Sequence, residues 1–329
     1  MKISLHCFVV VFALAACGAP LEPDTPTPAL TASLMTGSPP AQSIPTVIVT
    51  TPDANLPAPD PSATFAVHAC QPEARILDGH FLLGRPIGPE DTFTVDKVYR
   101  YGHTLNGARD PHTGVEFANG AGTPVLAAEA GVVAFAGADD VGGLAPWPYF
   151  YGNTVVIQHR LGGVDQPVYT LYAHLSQVQV EAGASVSRGA VIGAVGATGV
   201  AIGNHLHFEV RVGSNEYTAV QNPELWLEPL PDGASGALNG ALAGYVLDAS
   251  GAPGRVSNLV ITQLANGARV YFEGYQGKIE GDALWGERFG IGGLPPGEVE
   301  LAFTFGRLFK KTVQIEPGKV TLVAFCVSD

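Results

Sequence analysis

From residue 123 onward, short apolar runs alternate with glycine turns. Residues 123–128 lead through Gly131 into 132–137, which reads as strand, turn, strand. Residues 153–159 and 168–175 are two further strand-like runs. Between Val180 and Gly199, apolar residues and glycines recur at intervals of about three, a glycine load that a helix would not tolerate. Short strands joined by tight turns accept it, because glycine adopts positive φ without steric cost. The clearest pattern is at 205–211, where polar and apolar residues alternate strictly. On a strand, His205, His207, Glu209 and Arg211 share one face, and Leu206, Phe208 and Val210 share the other. After the small residues Ser235, Gly236 and Ala237, strand-like segments recur at 243–248, 259–262, 269–272, 299–303, 311–315 and 320–325. That spacing predicts a β-sandwich. The expected fold class is all-β: a small, mostly antiparallel domain with a groove over 96–232, then a sandwich over 238–329.

Composition agrees. The chain has 329 residues, enough for about two domains. Its 46% hydrophobic content supports true cores, and 41 Gly with 26 Pro favour turns over long helices. A net charge of −13 argues against a nucleic-acid partner and gives no steering toward an anionic surface. No feature predicts an oligomer.

The N-terminus reads as an address. Lys2 precedes an apolar run over 3–16 that is too short to span a bilayer comfortably. The run ends in Leu14-Ala15-Ala16-Cys17, which resembles the lipobox of bacterial lipoproteins. That resemblance implies removal of residues 1–16, a lipidated Cys17 and attachment to a membrane outside the cytoplasm. Residues 17–65 are rich in Pro, Thr and Ser and should act as a tether. Residues 66–95 form an N-terminal extension of the folded part. Outside the cytoplasm, Cys70 and Cys326 are expected to pair as a disulfide.

The histidines carry the chemistry. His205 and His207 lie two residues apart on one strand face, roughly 6.6 Å along it, so both rings can converge on one site. In the second cluster, His112-Thr113-Gly114-Val115-Glu116, Pro111 and Gly114 oppose a helix. A turn through Thr113-Gly114 brings His112 and Glu116 within reach of one ion. Imidazole and carboxylate suit zinc, and His112, Glu116 and His207 give three protein ligands with a fourth position left open.

The ordered series H-x-G-x-acid from His112, G-T-P-V-x-A from Gly122, Y-x-H-L from Tyr172, the glycine repeat and H-L-H-F-E from His205 resembles the lysostaphin-type (glycyl-glycine endopeptidase) zinc peptidases. The resemblance covers about 130 residues. It implies one Zn2+ held by His112, Glu116 and His207, with His205 and His174 acting on the attacking water. The substrate it implies is the peptide of bacterial peptidoglycan. His205 is the expected general base, and His174 is expected to serve the oxyanion or leaving amine. One departure is that the family usually has Asp where this chain has Glu116. The alternative function is a catalytically silent module that binds and activates other wall hydrolases, although this chain keeps every site histidine.

The remaining candidates read as structural. His80, His68 and His103 have no partner at useful spacing, His103 being near enough to His112 to line the groove. His159 closes a strand. Glu209 and Arg211 are expected to pair and brace His207, and Tyr151-Gly152-Asn153 reads as a turn at the groove edge. The stretch from Phe289 to Gly297 resembles the carboxypeptidase-regulatory, transthyretin-like domains. There the chain shows no catalytic set, and the expected role is support or spacing.

Overall fold

A computed structural model describes residues 74–140, 144–248 and 250–327. The expected signal, Cys17, the tether, His68 and Cys70 lie outside these described residues. Cys326 is disulfide-bonded; its expected partner, Cys70, lies in that undescribed part.

The fold is all-β. The described residues form nineteen strands and two single-turn 3-10 helices, Tyr217–Ala219 and Pro223–Leu225, with no α-helix. No helix among them is long and apolar enough to cross a membrane.

The largest sheet has seven strands and builds the site. Its path runs Val220–Gln221, Leu206–Val212, Val168–Ala173, Asn153–His159, Gly131–Ala138 and Ser185–Val186, and Val115–Phe117 also pairs with Leu206–Val212. Its pairings are antiparallel. Val155, Val156 and Ile157 are all fully buried, because apolar material covers both faces of this sheet. Leu206, Phe208 and Val210 point into one cluster with Val115, Phe117 and Tyr172. On the opposite face Tyr151, Val156, Leu171 and Ala173 form a smaller cluster. The glycine repeat becomes Gln177–Val178, Ser185–Val186 and Val191–Ala194, short strands as its composition requires.

Two further sheets face each other at the C-terminal end. One carries Arg75–Asp78, Lys319–Cys326, Gly240–Leu247, Pro253–Gly254 and Phe289–Leu294. The other is Arg269–Phe272, Leu259–Gln263, Gly297–Phe305 and Arg307–Ile315. Leu242, Val246 and Val323 from the first meet Ile261, Leu301 and Phe303 from the second in one core, which is the arrangement of a sandwich.

The boundary between the two halves is not a gap. Ala241, Ala243, Val320 and Leu322 belong to the same apolar cluster as Val115, Phe208 and Trp226. The N-terminal extension is shared as well: Arg75–Asp78 pairs antiparallel with Lys319–Cys326. His80 is held between Trp226 and Trp285, with ring centroids 4.0 and 4.6 Å away. The described residues therefore pack as one unit.

Candidate active site

Local sequence explains how the site is set. After Pro111 the chain bends at Thr113-Gly114 and enters the strand Val115–Phe117. Gly114 passes so close to the neighbouring strand that a Cβ there would lie 2.4 Å from the carbonyl oxygen of Phe208. This bend returns Glu116 to His112, with Oε1 3.7 Å from His112 Nε2. The strand ladder then sets Glu116 directly opposite His207.

His112, Glu116 and His207 each offer one donor atom, all within 4.8 Å of one another. The orientation of each ring follows from its outer nitrogen. His112 Nδ1 lies 2.9 Å from the carbonyl oxygen of Tyr99 and must donate to it. Its Nε2 therefore carries the lone pair. His207 Nε2 donates to Glu209 Oε1 at 3.0 Å, so its Nδ1 carries the lone pair. These two lone-pair nitrogens face each other at 3.1 Å. Neither has a proton for the other, so the contact is not satisfied by a hydrogen bond. A cation between them satisfies both. Ligands of tetrahedral zinc at about 2.0–2.1 Å stand roughly 3.4 Å apart, and the observed 3.1 and 3.7 Å fall on either side.

Burial disfavours the charged form of His112, His174 and His205. His112 titrates well below the ordinary histidine range because it is buried and lies beside His207. His174 is lowered to about 3, by burial first and then by His207 and His205. His205 is lowered by burial, with Glu116 pulling the other way. Neutral imidazole is the form that binds metal or accepts a proton.

His174 and His205 stand side by side, with ring centroids 4.8 Å apart. His174 Nδ1 donates to the Thr198 carbonyl at 2.8 Å. His205 Nδ1 donates to the Gly203 carbonyl at 3.1 Å. Both therefore present an unprotonated Nε2, and that of His205 lies 3.6 Å from Glu116 Oε1. His174 is held at φ 61°, a left-handed conformation rare for a non-glycine residue.

Behind His207 lies a buried polar network. Glu209 Oε1 also accepts from Thr113 Oγ1 at 2.6 Å and from the Tyr151 hydroxyl at 2.5 Å. Its Oε2 accepts from Arg211 Nε at 2.8 Å. Burial alone would raise the Glu209 carboxyl, but Arg211 and the His207 bond hold it down at about 2. The expected bracing of His207 by Glu209 and Arg211 is thus present. Tyr151 was expected only as a turn residue; it is fully buried and helps to orient the carboxylate.

The loop carrying His112 is fixed from the sandwich. Glu273 accepts from Thr104 N and Asn106 N, each at 2.8 Å, and from Thr104 Oγ1 at 2.9 Å. His103 Nε2 accepts from Glu273 N at 3.1 Å, which is the partner that sequence spacing could not supply. The His112 amide in turn donates to the His103 carbonyl. His159 stays away from the site, with its ring bonded to Ala130 O and Thr170 Oγ1.

Exposed apolar residues border the site on two segments, Trp147 and Tyr149 on one, Val200 and Ile202 on the other. The segments meet where Gly152 approaches Gly199, so closely that a Cβ on Gly152 would lie 2.5 Å from Gly199 N.

Comparison with known proteins agrees with this geometry. Residues 110–220 match the model of Peptidase family M23. This part of the chain is similar to that family. The chain is 42% identical over 118 residues to the DD-carboxypeptidase/endopeptidase Mpg of Neisseria meningitidis serogroup B, covering 35% of this chain and 24% of that protein. It is 35% identical over 139 residues to the peptidoglycan DD-endopeptidase ShyB of Vibrio cholerae, covering 39% and 29%. Among solved structures, the catalytic domain of lysostaphin from Staphylococcus simulans is similar at 31% identity, covering 40% of this chain and 88% of that one, with a TM-score of 0.31. The chain spans about a quarter of the length of the curated relatives it matches. His112, Glu116, His174, His205 and His207 all fall within the matched residues 110–220.

Proposed function

We propose that this protein is a zinc-dependent endopeptidase that hydrolyses peptide bonds of bacterial peptidoglycan. The observation that carries the proposal is the pair of facing lone-pair nitrogens on His112 and His207, beside the Glu116 carboxylate. That donor set suits one zinc ion, and three protein ligands leave a position for water or substrate. The ion would supply Lewis acidity, which makes water available as a nucleophile near neutral pH and polarises the scissile carbonyl.

The chain's own residues do the rest. His205 Nε2 is unprotonated and takes the proton of the attacking water. His174 Nε2 is also unprotonated, so at neutral pH it can donate only the water's proton, passed on from His205, whose ring centroid lies 4.8 Å away. Donation to the leaving amine therefore follows the base step rather than preceding it. Glu209 keeps the tautomer of His207 fixed, and Arg211 keeps Glu209 ionised. Glu116 in place of the family's usual Asp still reaches both His112 and His205.

The likeness to proteins named as peptidoglycan endopeptidases supports the substrate class. We also propose export with a lipid anchor on Cys17, which rests on the sequence of residues 1–17 alone.

The test is zinc content measured together with wall hydrolysis. Purified protein should bind one zinc per chain and release new amino ends from purified peptidoglycan. His207→Ala should lose both. Metal-loaded protein that leaves peptidoglycan and its cross-linked peptides intact would overturn the proposal.

A further inference from the structure

Among the described residues, four buried side-chain polar atoms have no hydrogen-bond partner: Arg85 Nε, Arg100 Nε, Glu224 Oε1 and Asn239 Oδ1. Native proteins leave few such atoms, because a buried polar atom without a partner has lost its water and gained nothing in return. All four residues line a single cavity of about 150 Å³. The cavity lies where residues 81–100 and 224–230 meet 239–240 and 292–293 of the sandwich, and it contains none of the metal-site residues.

The walls are built rather than incidental. Arg100 and Glu224 are 5% and 7% exposed. They are ion-paired through Arg100 Nη1 and Glu224 Oε2, and Oε2 also accepts from Gly292 N at 3.0 Å. Each thus keeps one atom engaged and one atom without a partner. Arg85 donates through Nη2 to the Glu228 carbonyl, which leaves its Nε unengaged. Asn239 has its backbone bonded on both sides, to Leu230 and Gly318, while its side-chain oxygen has no partner. Exposed Lys97 stands on the lining, and Phe81 and Leu227 add an apolar wall.

Two unengaged donors belong to guanidinium groups, and the two unengaged acceptors are a carboxylate and an amide oxygen. The lining carries charges of both signs, Arg85, Lys97 and Arg100 against Glu224. A neutral water can bond to any of these atoms, but it brings no ionic group to either sign. A ligand with a carboxylate at one end and an ammonium at the other satisfies donors and acceptors together. A cavity of this volume takes a ligand about the size of benzene.

We propose that this cavity is a binding site for a small zwitterion, an α-amino acid with a small or apolar side chain. Burial lowers the Arg85 guanidinium to about 10, against the pull of Glu224 and Glu228, and a bound carboxylate would offset that cost. Because the lining comes from both halves, the ligand would tie the sandwich to the peptidase half and stabilise the folded state by mass action.

The test is titration calorimetry and thermal unfolding of the whole protein with L-alanine, D-alanine and glycine. Acetate, methylammonium and inorganic phosphate serve as single-charge controls. At least one amino acid should bind one per chain and raise the unfolding midpoint. Acetate and methylammonium should bind about tenfold or more weakly, since each satisfies only half the wall. Asn239→Leu and Arg85→Met, at partly exposed positions, should each weaken binding about tenfold while the unliganded protein still unfolds cooperatively. Binding should persist in His207→Ala, which separates this cavity from the metal site. Four results overturn the proposal: no amino acid binding, equal affinity for acetate or phosphate, unchanged binding in both cavity variants, or binding abolished by His207→Ala.

Discussion

Nε2 of His207 donates to Glu209 Oε1 at 3.0 Å, two residues along the same strand. The opposite nitrogen of that ring is thereby left bare toward His112. Replacing Glu209 with Gln removes the charge and leaves Arg211 buried without its counter-ion. Metal affinity should fall about 10–100-fold. Stability of the metal-free protein should drop by about 3 kcal/mol, as expected when one partner of a buried pair is lost. Competition with a zinc chelator and urea unfolding measure the two effects separately. Unchanged zinc affinity would show that Glu209 does not orient the ring.

His174→Ala should retain zinc and lose about 10²–10⁴-fold in kcat, the usual contribution of a positioned proton-transfer group. A variant with full activity would remove His174 from the mechanism. One that loses zinc would make it a ligand instead.

Gly114→Ala should destabilise the protein by about 1–3 kcal/mol through overpacking against the Phe208 carbonyl. The strain acts between His112 and Glu116, so zinc affinity should fall with it. Denaturant unfolding and chelator competition on the same preparation check this, and a normal zinc affinity would show that the bend has slack.

Glu287 gives stability a pH dependence opposite to that of an ordinary paired carboxylate. It is fully buried, and burial, then the nearby Asp282, raises it to about 8. The folded state therefore holds a proton that the unfolded chain releases near the ordinary carboxyl value of 4.5. Its favourable contribution is complete below about 4.5 and is lost as pH rises through 8. Unfolding midpoints in urea should fall from pH 5 to pH 8. Glu287→Gln should flatten that fall, and an unchanged slope would sink the assignment.

Glu273→Ala should release residues 104–106 and loosen the loop that carries His112. Zinc affinity should fall by about tenfold, since second-sphere partners typically contribute that much or more. A variant that unfolds earlier yet keeps native zinc affinity would confine Glu273 to stability.

Much of this arrangement was legible in the chain. The alternation at 205–211 gave both the site face and the core face of one strand. Pro111 and Gly114 excluded a helix and left a bend that returns Glu116 to His112. What stayed hidden depends on long-range contacts. Tyr151 meets Glu209 across 58 residues, and Glu273 meets Thr104 across 169. Neither spacing leaves a local signature. The sandwich read as a module for support or spacing because it lacks catalytic residues, but no local signal pointed to Glu273 as the residue that holds part of the other half.

The pairing of Arg75–Asp78 with Lys319–Cys326 has a consequence in time. Ribosomes make residues 75–78 long before residues 319–326. The early strand must wait for its neighbour, and so must the parallel partner of that neighbour, Gly240–Leu247. Pairings so distant in sequence form slowly. During synthesis this chain cannot finish its fold from the front, so the peptidase half acquires its complete core only after the last strand emerges.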